Sequence, residues 1–246
     1  MLPPDTPVFP LAPAAEVDVA DIERELERLW REAARTDPAH SVLRAASFTL
    51  IYAAPETDGD DGTGSLLADL TYAHPARAIL LRLAGDDAPR PLRAQVTVFC
   101  HRPSPSAPQI CSEFIELHGS IRDLAPLQSV LLALRLSGLP TVLLWDSALR
   151  VEPAVLRVLA ADVERVITAM IPPCAGAASL TSLLTLQQAL GSDTLVTDAI
   201  ESFLHPWQAA IAALFDSASL DARSIRRVRV FHSGSVVRAE LALLAA

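Results

Sequence analysis

A helix that leads straight into an apolar strand is the sequence feature that most restricts the fold. Residues 124–138, LAPLQSVLLALRLSG, have the apolar spacing of a helix and a glycine at their end, and LPTVLLWD (139–146) follows at once. Four consecutive apolar residues without alternating polar ones predict a strand that is covered on both faces. A helix delivering into such a strand is typical of an α/β fold.

Other segments complete the predicted architecture. Residues 16–35 have an apolar stripe on one face and charged residues on the other, which indicates a surface helix. Residues 93–100 and 109–119 read as two antiparallel strands joined by a proline-rich connection. The sequence therefore predicts a mixed sheet flanked by helices. Further predicted strands are 45–54, 78–83, 140–145 and 163–171; further predicted helices are 66–73, 152–161, 179–190, 193–204 and 206–216; a C-terminal β-hairpin is predicted at 228–244.

The chain of 246 residues can form one large domain or two lobes. Residues 1–15 contain five prolines and are predicted to form a disordered tail. A shift in composition near residue 151 indicates an N-terminal α/β lobe at 16–150 and a C-terminal α/β lobe at 151–246.

Charge and composition exclude several classes of function. The net charge of −9 disfavours binding to nucleic acid, because an acidic surface repels phosphate backbones. The chain contains no lysine, so it has neither a P-loop lysine nor a lysine for a Schiff base. The N-terminus lacks the pattern of a signal peptide, and no apolar run is long enough to span a membrane. We therefore expect a cytoplasmic protein.

No catalytic, cofactor-binding or metal-binding motif is evident. The glycines form no GxGxxG pattern, and the six histidines lack the spacing of a zinc site. Cys100 and Cys111 flank the connection between two predicted antiparallel strands, so they could approach each other and form a redox-sensitive pair. The simpler interpretation is that both are small apolar residues of the core.

Asp146 is the one acidic residue that directly follows the buried strand 140–145. Ligands of open α/β sheets bind beyond the carboxyl ends of the strands, which makes Asp146 a candidate binding residue. The simpler interpretation is that Asp146, with Ser147, caps the next turn or helix.

Several segments occur in an order that resembles the OpcA family of glucose-6-phosphate dehydrogenase assembly or effector proteins. In that family a His-Pro-small-Arg segment precedes an apolar strand, a Leu-Pro strand ends in tryptophan, and a late helix carries Trp-Arg. The matching segments are HPARAILLRL (74–83), CHRP (100–103), ICSEFIEL (110–117), LPTVLLWD (139–146), LAADVERVITAM (159–170) and LVTDAIESFLHPWQAAIAALFD (195–216). This chain has Trp207-Gln208 in place of Trp-Arg.

The resemblance implies a non-enzymatic protein without a cofactor that binds glucose-6-phosphate dehydrogenase and promotes its assembly or activity. His74 and Arg77 match the family segment, and an arginine that pairs with a carboxylate is the simpler interpretation of Arg77. Trp145 and Trp207 are candidate interface anchors, since tryptophan is enriched at binding hot spots, although a place in the core is the simpler expectation for both.

A second hypothesis is that the chain is an enzyme or a small-molecule-binding α/β protein. Its pocket would lie beyond strand 140–145, and Asp146, His74 and Arg77 would supply its polar groups. This hypothesis requires the three side chains to lie close together.

Overall fold

The computed structural model describes residues 9–10, 15–36, 42–57, 61–85, 91–102, 104, 107–146, 149, 153–168, 177–217 and 226–227. Its strands are β1 (Phe9–Pro10), β2 (Ala15–Val17), β3 (Val42–Arg44), β4 (Thr49–Pro55), β5 (Arg77–Ala84), β6 (Arg93–His101), β7 (Gln109–Ser120), β8 (Thr141–Trp145), β9 (Arg165–Thr168) and β10 (Leu195–Asp198). Its α-helices are α1 (Ile22–Thr36), α2 (Thr63–Ala73), α3 (Leu124–Leu134), α4 (Pro153–Leu159), α5 (Ala177–Leu190) and α6 (Ala199–Ser217).

The ten described strands form one mixed sheet. Its order is β1-β6-β7-β5-β4-β8-β9-β10, with β2 also pairing with β6 and β3 with β7. In the order of the sheet, the strands β7, β5, β4, β8, β9 and β10 are parallel to one another. In contrast, β6 is antiparallel to β7, β1 and β2. The predicted α/β class, a mixed sheet flanked by helices, is therefore confirmed.

The order of the parallel strands reverses in the middle of the sheet. The chain passes from β4 to β5 and β7 in one direction, then returns to the other side of β4 and continues through β8, β9 and β10. A topological switch point consequently lies between the carboxyl ends of β4 and β8. In open α/β sheets this crevice is the usual place for a ligand.

Helices cover the two faces of the sheet unequally. On the first face, buried leucines of α1, α3, α4 and α5 pack with Ile51, Ile79 and Ile115 in one large core cluster. On the second face, Leu67 of α2 packs with a smaller cluster that includes Leu80. Neighbouring residues of a strand point to opposite faces, so each strand contributes alternate side chains to the two clusters.

The predicted helix at 193–204 is wrong in its first half. Leu195–Asp198 form β10, which pairs with β9, and α6 begins only at Ala199. Pairing with a neighbouring strand overrides the weak local helical pattern here. Pro206, predicted to begin a separate helix, lies inside α6.

The sheet runs without interruption across the proposed boundary at residue 150. β8 lies before it and pairs directly with β9 after it. The division into two lobes stays a prediction. Within the predicted tail 1–15, Phe9–Pro10 and Ala15 pair with β6, while the predicted hairpin at 228–244 lies outside the described residues.

No helix in the described part of the chain combines the length and the apolar character needed to cross a bilayer.

Candidate functional site

Polar side chains cross the second face of the sheet near the carboxyl ends of β5 and β7. Arg82, His118 and Arg93 lie directly opposite one another on β5, β7 and β6. Glu116 precedes His118 by two residues and therefore points to the same face. We call Arg82, Arg93, Glu116 and His118 the polar row.

Arg82 is the buried member of the polar row. Its two terminal nitrogens lie 2.5 and 2.8 Å from the two carboxylate oxygens of Asp61, and its Nε lies 3.3 Å from Glu116 Oε1. Hydrogen bonding from Arg82 holds the pKa of the Asp61 carboxyl far below its ordinary value. This fork-to-fork geometry is the strong form of a charge-assisted hydrogen bond.

Asp61 also closes the start of helix α2. Its Oδ1 accepts a hydrogen bond of 3.0 Å from the backbone N–H of Thr63, the first residue of that helix. The N-terminus of a helix attracts anions, and at α2 the Asp61 carboxylate occupies part of that position. Arg82 and Asp61 therefore attach α2 to the sheet.

His118 lies between two carboxylates in the middle of the polar row. Its Nδ1 is 3.4 Å from Glu56 Oε1, and its Nε2 is 3.6 Å from Glu116 Oε1. A cleft of about 480 Å³ opens beside it, within the size range of small-molecule sites. The cleft is lined by Glu16, Glu56, Pro91, Arg93, Gln95, His118 and Gly119.

Asp146 lies at the switch point between β4 and β8. The hydroxyl of Tyr52 donates a hydrogen bond of 2.5 Å to Asp146 Oδ2, and the Asp146 N–H donates to the Ala53 carbonyl at 2.9 Å. Burial, reinforced by the Asp146 carboxylate, raises the pKa of Tyr52 well above its ordinary value. The Asp146 carbonyl accepts from the Leu149 N–H at 3.0 Å, so the backbone of Asp146 also begins a turn.

Arg77 lies at the opposite end of the sheet. It is the first residue of β5 and pairs with Thr49, whereas Asp146 follows the residue that pairs with Ala53. Asp146 therefore lies five residues of strand beyond the level of Arg77, about 16 Å. His74 is exposed and ends helix α2 on the same side as Arg77. The predicted convergence of Asp146, His74 and Arg77 is therefore wrong. The strands β5 and β8 run in the same direction, and Arg77 is at the start of β5, whereas Asp146 follows the end of β8.

The Arg77 side chain is 2% exposed and bound on several sides. Its Nε lies 2.6 Å from Glu113 Oε2, and its Nη1 lies 2.6 Å from Glu23 Oε1 and 2.8 Å from the Leu134 carbonyl. These contacts are those expected of an arginine that joins a strand to the helices above it.

Glu113 is the buried partner that sequence reasoning missed. Besides Arg77, it accepts a hydrogen bond of 2.8 Å from Trp30 Nε1 and an ion pair of 2.7 Å from Arg44. The Arg44 guanidinium also lies over the Trp30 ring, 5.7 Å from its centroid. A charged residue within the apolar segment ICSEFIEL was the available signal, since a buried carboxylate needs such partners.

The two candidate anchor tryptophans occupy opposite environments. Trp145 is buried and donates from Nε1 to the Leu149 carbonyl at 3.2 Å, as the core interpretation expects. Trp207 is 66% exposed on α6, and Ile211, one turn further on, is 38% exposed. The expectation of a core position is therefore wrong for Trp207.

Cys100 and Cys111 are directly opposite each other on β6 and β7 and form a disulfide bond. Both cysteines are also buried in the core of the first face. The antiparallel register brings them together, as the candidate redox pair requires.

Within the described residues, no group of three or more histidine, cysteine, aspartate or glutamate side chains could hold a metal ion.

Comparison with known proteins places the polar row inside a family domain. Residues 68–179 match the OpcA domain family, described as the glucose-6-phosphate dehydrogenase subunit N-terminal domain. A protein of Nostoc punctiforme that carries the name OxPP cycle protein OpcA is 27% identical over 189 residues. The aligned region covers 75% of this chain and 40% of that protein, so the chain spans less than half the relative's length.

Proposed function

Since this chain is a divergent member of the OpcA family, we propose that it binds glucose-6-phosphate dehydrogenase and promotes its assembly or activity. The observation that carries the proposal is the match of residues 68–179 to a domain described as the glucose-6-phosphate dehydrogenase subunit N-terminal domain. In this role the protein is a non-enzymatic effector of the oxidative pentose phosphate pathway.

The exposed apolar side of α6 supports a protein-binding role. Trp207 and Ile211 project from a stretch, residues 206–215, that contains no charged side chain. Exposed tryptophans in such surroundings are frequent binding hot spots. We assign α6 as the contact with the dehydrogenase.

The effector acts by shifting the population of its partner. It binds the active, assembled dehydrogenase more tightly than the inactive form, and a difference of about 1–3 kcal/mol is typical of such coupling. Because coupling is reciprocal, substrates that favour the assembled enzyme also strengthen its binding to this chain.

The deciding experiment combines the chain with its cognate dehydrogenase. We expect co-elution in size-exclusion chromatography, a shift of the enzyme towards its assembled form in analytical ultracentrifugation, and a higher specific activity. Absence of a complex, together with unchanged activity and oligomeric state, would refute the proposal.

A paired substitution locates the contact on α6. We expect Trp207→Ala to weaken the complex about 30-fold or more, the effect of losing a hot-spot residue of about 2 kcal/mol. The control is Leu132→Ala on α3, also an exposed apolar residue, at 41% exposure. Equal effects of the two substitutions would remove α6 from the interface.

A second candidate function, binding of a small molecule, is favoured by one specific observation. The cleft beside His118 has a suitable volume and is lined by charged groups at the carboxyl end of the sheet. The proposed ligand site is thus this cleft, and Asp146 is held by Tyr52 at the neighbouring switch point.

A further inference from the structure

Three polar side chains that line the cleft beside His118 make no hydrogen bond or ion pair with the described residues. They are the side chains of Glu16, Arg93 and Gln95. Glu16 and Arg93 are exposed, and Gln95 is half-buried between them. These side chains can therefore bind a ligand without first breaking a hydrogen bond or an ion pair of the described residues.

The strand register brings the three groups to one face. Glu16 of β2 lies directly opposite Gln95 of β6, and Arg93 precedes Gln95 by two residues on the same side of β6. Such diagonal neighbours have Cβ atoms somewhat less than about 7–8 Å apart. A carboxylate and a guanidinium therefore face the cleft with room for a small molecule between their ends.

The charges of the cleft define the class of ligand. Among the described residues, its lining contains the two carboxylates Glu16 and Glu56 and one guanidinium, that of Arg93. A simple anion such as phosphate would meet two carboxylates, and a simple cation would meet Arg93. A molecule with an ammonium and a carboxylate group close together satisfies both signs at once.

We propose that this cleft binds a small zwitterion of the α-amino acid class. The ligand carboxylate binds to the Arg93 guanidinium through two parallel hydrogen bonds, and the ammonium binds to Glu16 with Glu56 beside it. The Gln95 amide and the His118 imidazole complete the polar wall. This site is independent of α6, so the proposed partnership with the dehydrogenase does not rest on it.

The test begins with the standard L-amino acids, each added to the whole chain at up to about 10 mM, a range that reveals weak binding. Calorimetry and ligand-observed NMR measure saturable binding. For each amino acid that binds, the N-acetyl derivative removes the positive charge and the α-amide removes the negative charge. We expect both derivatives to bind at least about tenfold more weakly, the equivalent of 1.4 kcal/mol.

Two conservative variants locate the site. We expect Arg93→Gln and Glu16→Gln each to weaken binding at least about tenfold, while Arg165→Gln, an exposed arginine on β9 outside the cleft, leaves it unchanged. Unchanged thermal midpoints without ligand show that the variants fold. The ring signals of His118 shift on binding, and those of His74, at the other end of the sheet, do not.

Three outcomes overturn the proposal. The first is no saturable binding of any amino acid. The second is binding that both Arg93→Gln and Glu16→Gln leave unchanged, which assigns it to another site. The third is that the N-acetyl derivative or inorganic phosphate binds as tightly as the unmodified amino acid, which would make the cleft an anion site.

Discussion

Two buried arginines of a single strand determine how the sheet is joined to its surroundings. Arg77 and Arg82 point to opposite faces of β5, because they are an odd number of positions apart, five. Arg77 binds Glu113 and Glu23 on the first face, and Arg82 binds Asp61 and Glu116 on the second. A buried charge is tolerated only when it is paired, so the stability of the fold requires the carboxylate partners of each arginine.

Replacing Arg77 by methionine is expected to lower the free energy of unfolding by about 3 kcal/mol, because Glu113 would stay buried with fewer partners. The matched control is Arg28→Met on α1, whose pairs with Glu25 and Glu32 are at the surface. We expect that change to cost much less, because an ion pair at the surface contributes little to stability. Urea denaturation measures both variants, and equal losses would contradict a structural role for Arg77.

Asp61 makes stability dependent on pH. Arg82 lowers the pKa of Asp61 in the folded protein. The contribution of Asp61 to the free energy of unfolding is therefore complete at pH values above its unfolded pKa of about 4, and it is lost as the pH falls below that value. Asp61→Asn should therefore be less stable than the natural protein at pH 7, and the difference should shrink at pH values below about 4. Urea midpoints measured across this range test the expectation; a constant difference would show that Asp61 acts without its charge.

Sequence reasoning could identify these residues only in part. An arginine paired with a carboxylate was the simpler interpretation of Arg77, but its partner Glu113 lies 36 residues away. Tyr52, the partner of Asp146, is 94 residues away. Such pairs are created by strand order, which no local pattern contains. That is why His74, Arg77 and Asp146 could be placed at one site from the sequence although the sheet holds them at opposite ends.

At the scale of elements, central strands were predictable and edge strands were not. The segments that form β5 to β8 are apolar runs bounded by turn residues, which is a strong local signal. β1, β2, β3 and β10 have two to four residues each and are defined only by the partners they pair with. Short segments of this kind carry too little pattern to separate a strand from a helix or a loop.

The β6–β7 pair carries a crosslink whose contribution can be measured. The disulfide joins two cysteines that are 11 residues apart in the sequence. For a loop of this length, the lost chain entropy of the unfolded state stabilises the fold by at most about 3 kcal/mol. We expect reductant to lower the stability of the natural protein by up to this amount. It should not affect the variant with both Cys100→Ser and Cys111→Ser. A natural protein that is insensitive to reductant would contradict the expected crosslink.

The same crosslink offers a test of redox control. If the pair regulates partner binding, oxidation weakens the complex with the dehydrogenase, and Cys100→Ser removes that dependence. Binding that is identical under oxidising and reducing conditions would leave the disulfide with a structural role alone.

At the scale of the whole molecule, the sheet joins the two halves of the chain. β8 pairs with β4 on one side and with β9 on the other, and all three are parallel. The general class of this arrangement followed from the sequence, because a helix delivering into a buried strand requires a layered α/β structure. The strand order and the switch point did not follow, since they depend on pairings between distant segments.

This continuity predicts a single unfolding transition. We expect circular dichroism and calorimetry to show one cooperative step, because separating residues 16–150 from 151–246 would break the pairing of β8 with β9. Two resolved transitions, or an isolated 16–150 fragment with a stability equal to that of the whole chain, would instead support two independent lobes.

The placement of the three tryptophans gives the molecule three distinct fluorescent reporters. Trp145 is sealed in the core, Trp30 is half-buried against Glu113, and Trp207 stands in solvent on α6. Light emitted by Trp207 is therefore red-shifted and open to quenching by dissolved acrylamide, whereas that of Trp145 is blue-shifted and shielded. A partner that covers α6 would protect the first signal and leave the second unchanged, so docking and unfolding can be followed separately in one cuvette without any attached dye.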